Sequence, residues 1–361
     1  MKASGLKISS YNKYAQAFIL ILFFIILLAG LRITRINNSQ SIWFEKLDLI
    51  DNGRANKADL SQIGPLKFIS AWELKSYNAD FGGISALVAI GQNRFLGTSD
   101  AGTLIGFGLS GDMQTDRPFI APLPNSTGPG KSYKDRDSES MAYNPATGEY
   151  WVGTEFTQKI TRYSPSFANS TGEVQPDLMK NWPSNSGPEA ISRLIDGRFI
   201  IFSEGADGPE EGSYQAILFS GDPVERGAKA SPFYHKPPKG FKITDATLLP
   251  NGDILCLYRS IGFPEGFAAK IGILKNQHIA PHKMSASKII ATLSPPLLVD
   301  NMEGITLTHE NGRFYIWIIS DNNFNIWQRT ILMKFELPAN LAHDGTHSKK
   351  PVDIVPGFQS M

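Results

Sequence analysis

Cysteine is nearly missing from this 361-residue chain. Cys256 stands alone, so neither an internal disulfide nor a Cys-x-x-Cys metal knuckle is open to it. A surplus of either charge is missing too, with 35 Lys and Arg against 34 Asp and Glu. Electrostatic nucleic-acid binders carry a basic excess or stripe, so nucleic acid is excluded as a partner. Beyond residue 31 no stretch keeps a 3.6-residue apolar period over several turns, which excludes a coiled coil. GxSxG, HExxH and P-loop patterns are absent, and the six histidines show no metal-ligand clustering.

The long apolar run that does occur is AQAFILILFFIILLAGL at 15–31, with Gln16 its one polar residue. Lys2, Lys7 and Lys13 precede it, and Arg32 and Arg35 follow. Two readings stay open, an uncleaved membrane anchor and a cleaved signal peptide without an A-x-A site. Under either, the basic N-terminus stays inside and the rest is exported, to the periplasmic or extracellular face. The chain therefore divides into a signal segment at 1–39, a folded domain at 40–340 and a polar tail at 341–361.

In place of helical periodicity there is a recurring unit: a short strand, a Gly-containing turn, and a second strand. Five copies are readable: GISALVAIGQNRFLGTSD, ESMAYNPATGEYWVGTE, EAISRLIDGRFIIFSEG, DATLLPNGDILCLYRS and EGITLTHENGRFYIWIISD. Asp196-Gly197, Asn251-Gly252 and Asn311-Gly312 are strong hairpin dipeptides, because Asn and Gly tolerate the positive φ that a twisted hairpin needs. The copies start at Gly82, Glu139, Glu189, Asp245 and Glu303, a spacing of 50–58 residues. Meandering strands at that period predict an all-β propeller of five blades, a sixth with a degenerate hairpin being the alternative. Each hairpin supplies two inner strands. KITRYS (159–164), YQAILFS (214–220) and AAKIGIL (268–274) supply outer ones. PLKFISAWEL (65–74) has no hairpin of its own and is expected to complete the last blade beside ILMKFEL (331–337), removing a free sheet edge. The stretches 112–138 and 205–213 read as face loops.

The chemistry falls at strand ends. Glu139, Glu189, Asp245 and Glu303 open first strands, and Asp100, Glu155, Glu204 and Asp321 close second strands. Antiparallel pairing brings both positions to one edge of each hairpin, so the acids are expected to rim one mouth of the channel. Like charges gathered there need a cation, protons or basic partners. Glu139, Glu155, Glu189, Glu204, Asp245 and Glu303 are the candidate metal ligands, for Ca²⁺ first and Mg²⁺ second. Arg136, Arg162, Arg193, Arg259 and Arg329 are alternative counter-charges. The fourth copy ends in Arg259 instead of an acid, which opens one side of the ring to an anionic ligand.

DNMEGITL (300–307) followed by ISDNNFNIWQRTILMKFEL (319–337) resembles the phytase-like family known as "esterase-like activity of phytase". DSESMAYNPATGEYWVGTE (137–155), GPEAISRLIDGRFIIFSEG (187–205) and FGGISAL (81–87) resemble it as well. The resemblance covers about 65–340 and implies an exported propeller related to ester and phosphate-ester hydrolases. Its motif positions fall on Glu139, Glu189, Glu303 and Asp321, with Asn301, Asn322, Asn323, Gln328 and Arg329 in the same stretch. The expectation is a metal-assisted hydrolase of small ester or phosphoester substrates. Glu139, Glu303 and Asp321 would be catalytic, and Arg259, Arg329 and Asn301 would bind substrate. Two other readings remain open: a calcium-stabilised propeller that binds a protein, glycan or lipid head group without turnover, and a metal-free serine esterase assembled from distant blades.

Overall fold

A computed structural model describes residues 39–50, 60–109, 115–124 and 132–342. The expected signal segment lies outside the described residues, as does nearly all of the tail. Among the described residues, no helix is long and apolar enough to cross a membrane.

Five sheets, antiparallel apart from one short pairing, make the fold. The chain opens with β1 (Trp43–Leu47) and β2 (Lys67–Lys75). The first blade is β3 (Ile84–Gly91), β4 (Arg94–Ser99), β5 (Thr103–Leu109) and β6 (Thr115–Pro122). The second is β7 (Ser138–Asn144), β8 (Glu149–Thr154), β9 (Lys159–Tyr163) and β10 (Ser170–Val174). The third is β11 (Pro188–Arg193), β12 (Phe199–Asp207), β13 (Tyr214–Phe219) and β14 (Ala230–His235). The fourth is β15 (Lys242–Leu248), β16 (Ile254–Gly262), β17 (Gly266–Leu274) and, after the short β18 (Met284–Ser285), β19 (Lys288–Leu293). β18 adds to the third blade, parallel to β14. The fifth is β20 (Met302–Glu310), β21 (Arg313–Ser320) and β22 (Thr330–Leu337), with β2 and then β1 on its outside.

The innermost strands contact one another in the cycle β3, β7, β11, β15, β20 and back to β3, which closes a five-bladed propeller. The fourth strand position of the last blade is filled as expected: β2 pairs antiparallel with β22 from Lys67↔Glu336 to Leu74↔Thr330. The expected face loop at 112–138 contains an outer strand, β6, which pairs with β5. Its sequence TDRPFIAP holds Pro118 and Pro122, which an outer edge strand tolerates because one side of its ladder is unpaired.

Period-two alternation explains where the core sits. In β16, Leu255 and Leu257 pack with the fifth blade, while Ile254, Cys256 and Tyr258 pack with the third. Every blade interface has such a cluster, so both faces of each sheet are buried. Where β20 meets β3 the approach is close enough to require glycine. A Cβ on Gly304 would lie 2.8 Å from Ile319 and 2.9 Å from the Leu87 side chain.

Candidate functional site

One local device recurs in all five blades. The ladder between the first two strands skips a single residue near the start of the inner strand: Ser85, Glu139, Glu189, Thr244 and Glu303. Each is a β-bulge, which leaves one residue unpaired and re-aims its side chain. Around it, two further rings are fixed by equivalent backbone positions. Two residues before the bulge stand Gly83, Asp137, Gly187, Lys242 and Asn301. On the second strand, one residue beyond the partner of the residue that precedes the bulge, stand Asp100, Glu155, Glu204, Arg259 and Asp321.

The bulges correct the register in two copies. In the first copy the ring position is Ser85 rather than Gly82, and its hydroxyl donates to the Gly83 carbonyl at 3.2 Å. In the fourth it is Thr244 rather than Asp245, and its hydroxyl donates to the Met302 carbonyl at 3.1 Å. Asp245, one residue further along, has another task. Its Oδ1 accepts from the Ala246 N–H and its Oδ2 from the Ile305 N–H, both at 2.8 Å. The Leu87 N–H also bonds to it. This carboxylate therefore ties β15, β20 and β3 together below the mouth. Burial raises its pKa while the three N–H donors oppose the rise.

The remaining acids gather. One ligand oxygen each from Asp137, Glu139 and Glu155 lies within 4.8 Å of the other two. Burial first, then Glu189 and Asp137, lifts the Glu139 carboxyl well above the usual range. Asp137 is also raised by burial, partly offset by its hydrogen bond with Glu139. Burial with Asp137 and Glu204 nearby pushes Glu155 up to about 7. Glu189 lies between this group and the rest, raised by burial and then by Glu204, Glu155 and Glu303. Asp321 rises through burial and then Asp100 and Glu303. Its Oδ1 accepts from the Asn323 N–H at 2.6 Å, and the Asn301 amide reaches its Oδ2 at 3.5 Å.

Positive charge enters from one side. Arg259 donates through Nη1 to Glu303 Oε1 at 2.7 Å and to Asn301 Oδ1 at 2.7 Å, and through Nη2 to Glu204 Oε1 at 2.9 Å. Lys242 stands 3.7 Å from the other Glu204 oxygen. Burial alone would lower the Arg259 pKa, but Glu303, Glu204 and Glu189 outweigh it and the guanidinium is held protonated. Glu303 is pushed up to about 7 by burial, against the pull of Arg259. The mouth is thus polarised: ion-paired on the side of the fourth and fifth blades, and, among the described residues, without an ion pair at Asp137, Glu139 and Glu155.

Arg136 precedes Asp137 in the chain and packs its stem beside Gly102, whereas the other three expected basic partners lie elsewhere. Arg162, on β9, pairs with Asp222 at 2.7 Å and Glu225 at 2.6 Å. Arg193 lines a cavity of about 1040 Å³ at the opposite end of the channel. Arg329 donates its backbone N–H to Asp300 Oδ2 at 3.1 Å. Asp300 also accepts from the Asn301 N–H, yet burial takes its pKa up to about 6. Asp137 is the residue that reading from the sequence alone passed over. Its signal was the position two residues before the bulge, visible only once Asn301 and Lys242 are aligned with it.

Among curated proteins, none matches the chain. Solved structures similar to it include the WD40 beta propeller domain of Doa1, at 14% identity over 76% of this chain and 98% of that one, with a TM-score of 0.35. U3-55K is similar at 8% identity over 71% of this chain and 96% of that one, with a TM-score of 0.38. The model of the phytase-like family, described as "Esterase-like activity of phytase", matches residues 79–324, a span that holds the inner strands and all three rings of the mouth, and the chain belongs to that family.

Proposed function

We propose that the protein is a hydrolase of ester or phosphoester substrates that works outside the cytoplasm, at the carboxylate mouth, with a divalent cation held by Asp137, Glu139 and Glu155. The observation that carries this reading is an acidic triad with no ion pair among the described residues, facing a side already neutralised by Arg259. Oxygens within 4.8 Å of one another suit an ion with bonds of 2.3–2.6 Å, which favours Ca²⁺ over the smaller Mg²⁺. Such an ion, when bound, polarises a substrate oxygen and acidifies a bound water.

The residues of the chain supply the rest. Glu303 has a pKa near 7 and is fixed by Arg259, which suits it to accept a proton at neutral pH. Glu189, raised and central, is placed to take or return a proton between the two sides. Arg259 acts as a positioning residue rather than a substrate clamp, because its bonds to Glu204, Glu303 and Asn301 use its fork.

The test is hydrolysis of nitrophenyl esters and nitrophenyl phosphate by the full chain in detergent. Activity is expected to vanish with chelator and return with calcium. Glu139→Gln and Glu303→Gln should each lower kcat by roughly 100-fold. Hydrolysis indifferent to chelator and to both substitutions would remove the reading. Calcium-dependent melting with no turnover on any substrate would leave a binding propeller instead.

A further inference from the structure

Among the described residues, the four most exposed large apolar side chains share one face. Phe263 is 77% exposed, Ile261 and Trp327 67%, and Tyr77 65%. Ile261 and Phe263 belong to the β16–β17 hairpin, which runs on past Arg259 through Ser260↔Ala268 to Gly262↔Gly266. β15 stops pairing at Lys242↔Arg259, so the tip stands clear of the mouth. Trp327, with the half-exposed Ile326, sits in the loop that follows Asp321. Tyr77 follows the end of β2 and packs its ring on Trp43, with centroids 4.7 Å apart. All of these tips belong to the fourth and fifth blades, and all are on the carboxylate side.

The chain also enters on this side. β1 starts at Trp43 opposite Lys75, at the mouth end of the last blade. The entering strand is tied there: Ser76 Oγ donates to the Ser41 carbonyl at 2.7 Å, and the Asn78 amide to the Ser39 carbonyl at 2.8 Å. Eight Cα–Cα steps separate Leu31, the last residue of the apolar run, from Ser39, a reach of at most about 28 Å. An anchor in a bilayer would tether this face within about 28 Å of the lipid.

We infer that the propeller docks on a lipid bilayer through the Phe263, Ile261, Trp327 and Tyr77 tips, with its carboxylate mouth turned toward the head groups. Aromatic side chains at loop tips match the interfacial zone, where Trp and Tyr place a ring among acyl chains and a polar atom in the head-group layer. Lys239, exposed on the loop that leads into β15 on this same face, suits an anionic head group, while Lys236 beside it is paired with Glu210 at 3.0 Å. The inference rests on reading residues 15–31 as a membrane anchor. The opposite face offers the half-exposed Ile195, in the β11–β12 turn, as its control.

The experiment uses the full chain in phosphatidylcholine–phosphatidylserine vesicles. Cysteines introduced by Phe263→Cys, Trp327→Cys or Ile195→Cys carry an environment-sensitive dye, and the buried Cys256 stays unlabelled in the folded protein. The chain is expected to float with the vesicles. Brominated lipid should then quench the dye about twofold at 263 and 327 and leave it bright at 195. Flotation with no quenching at 263 and 327, or with equal quenching at all three, overturns the docking while the anchor stands. Failure to float overturns both.

Discussion

Asp245 shows how one carboxylate can hold a ring closed. It bonds backbone N–H groups of three innermost strands, and each would be a buried orphan without it. Asp245→Ala is expected to cost about 2–3 kcal/mol, read as a lower midpoint in urea unfolding, because it strands those donors. The same variant should keep its calcium response, since Asp245 lies outside the triad. Arg259 is the complementary case. Arg259→Met leaves Glu303 and Glu204 without their partner, and a loss approaching the 3–5 kcal/mol of a broken buried pair is expected. That loss should be larger at pH 8 than at pH 5, where Glu303, raised by burial, can be protonated, and melting curves at the two pH values measure it.

At the scale of elements, the fold was legible wherever a hairpin announced itself. Asn251-Gly252 and Asn311-Gly312 mark their turns with backbone φ values of 89° and 78° at the glycines, and the β-branched runs beside them pack as inner strands. The closing strand was legible too, because Lys67–Lys75 had apolar alternation and no partner nearby in sequence. β1 and β6 were not: WFEKL and TDRPFIAP are short, polar or proline-bearing edge strands that owe their structure to the ladder they join. The acids of the mouth were found by their recurrence, yet the bulge that selects among them was hidden. Asp245 and Glu303 look equivalent in a string, and only pairing reveals that Thr244 holds the bulge. A one-residue difference in a strand turns a side chain to the other face. The closure makes its own prediction. Starting the chain at residue 60 removes β1 and leaves β2 on β22, so a folded monomer with a lowered melting temperature is expected. Starting it at residue 76 bares the β22 edge, and aggregation by size-exclusion chromatography is the expected outcome.

For the whole molecule, the mouth is a store of unfavourable charge. Asp100, Asp137, Glu139, Glu155, Glu189, Glu204, Glu303 and Asp321 face Arg259 and Lys242. Glu139, Glu189 and Asp321 have folded pKa values well above the ordinary range, and Glu155 and Glu303 reach about 7. A carboxyl whose folded pKa is raised binds protons more tightly when folded. Its contribution is therefore full below the unfolded pKa of about 4 and is lost as pH rises toward 7. Without a cation the protein should melt at lower temperature at pH 8 than at pH 5. A cation bound only by the folded state reverses that loss by mass action, and it does so most where the carboxylates are ionised.

The melting temperature of the full chain, scanned across pH 5 to 8 with calcium and with chelator, tests this most directly. A calcium-dependent rise that is small at pH 5, grows toward pH 8 and disappears in Glu139→Gln is the predicted result. A melting temperature that ignores calcium at every pH, or responds equally in Glu139→Gln, would contradict a cation held by Asp137, Glu139 and Glu155.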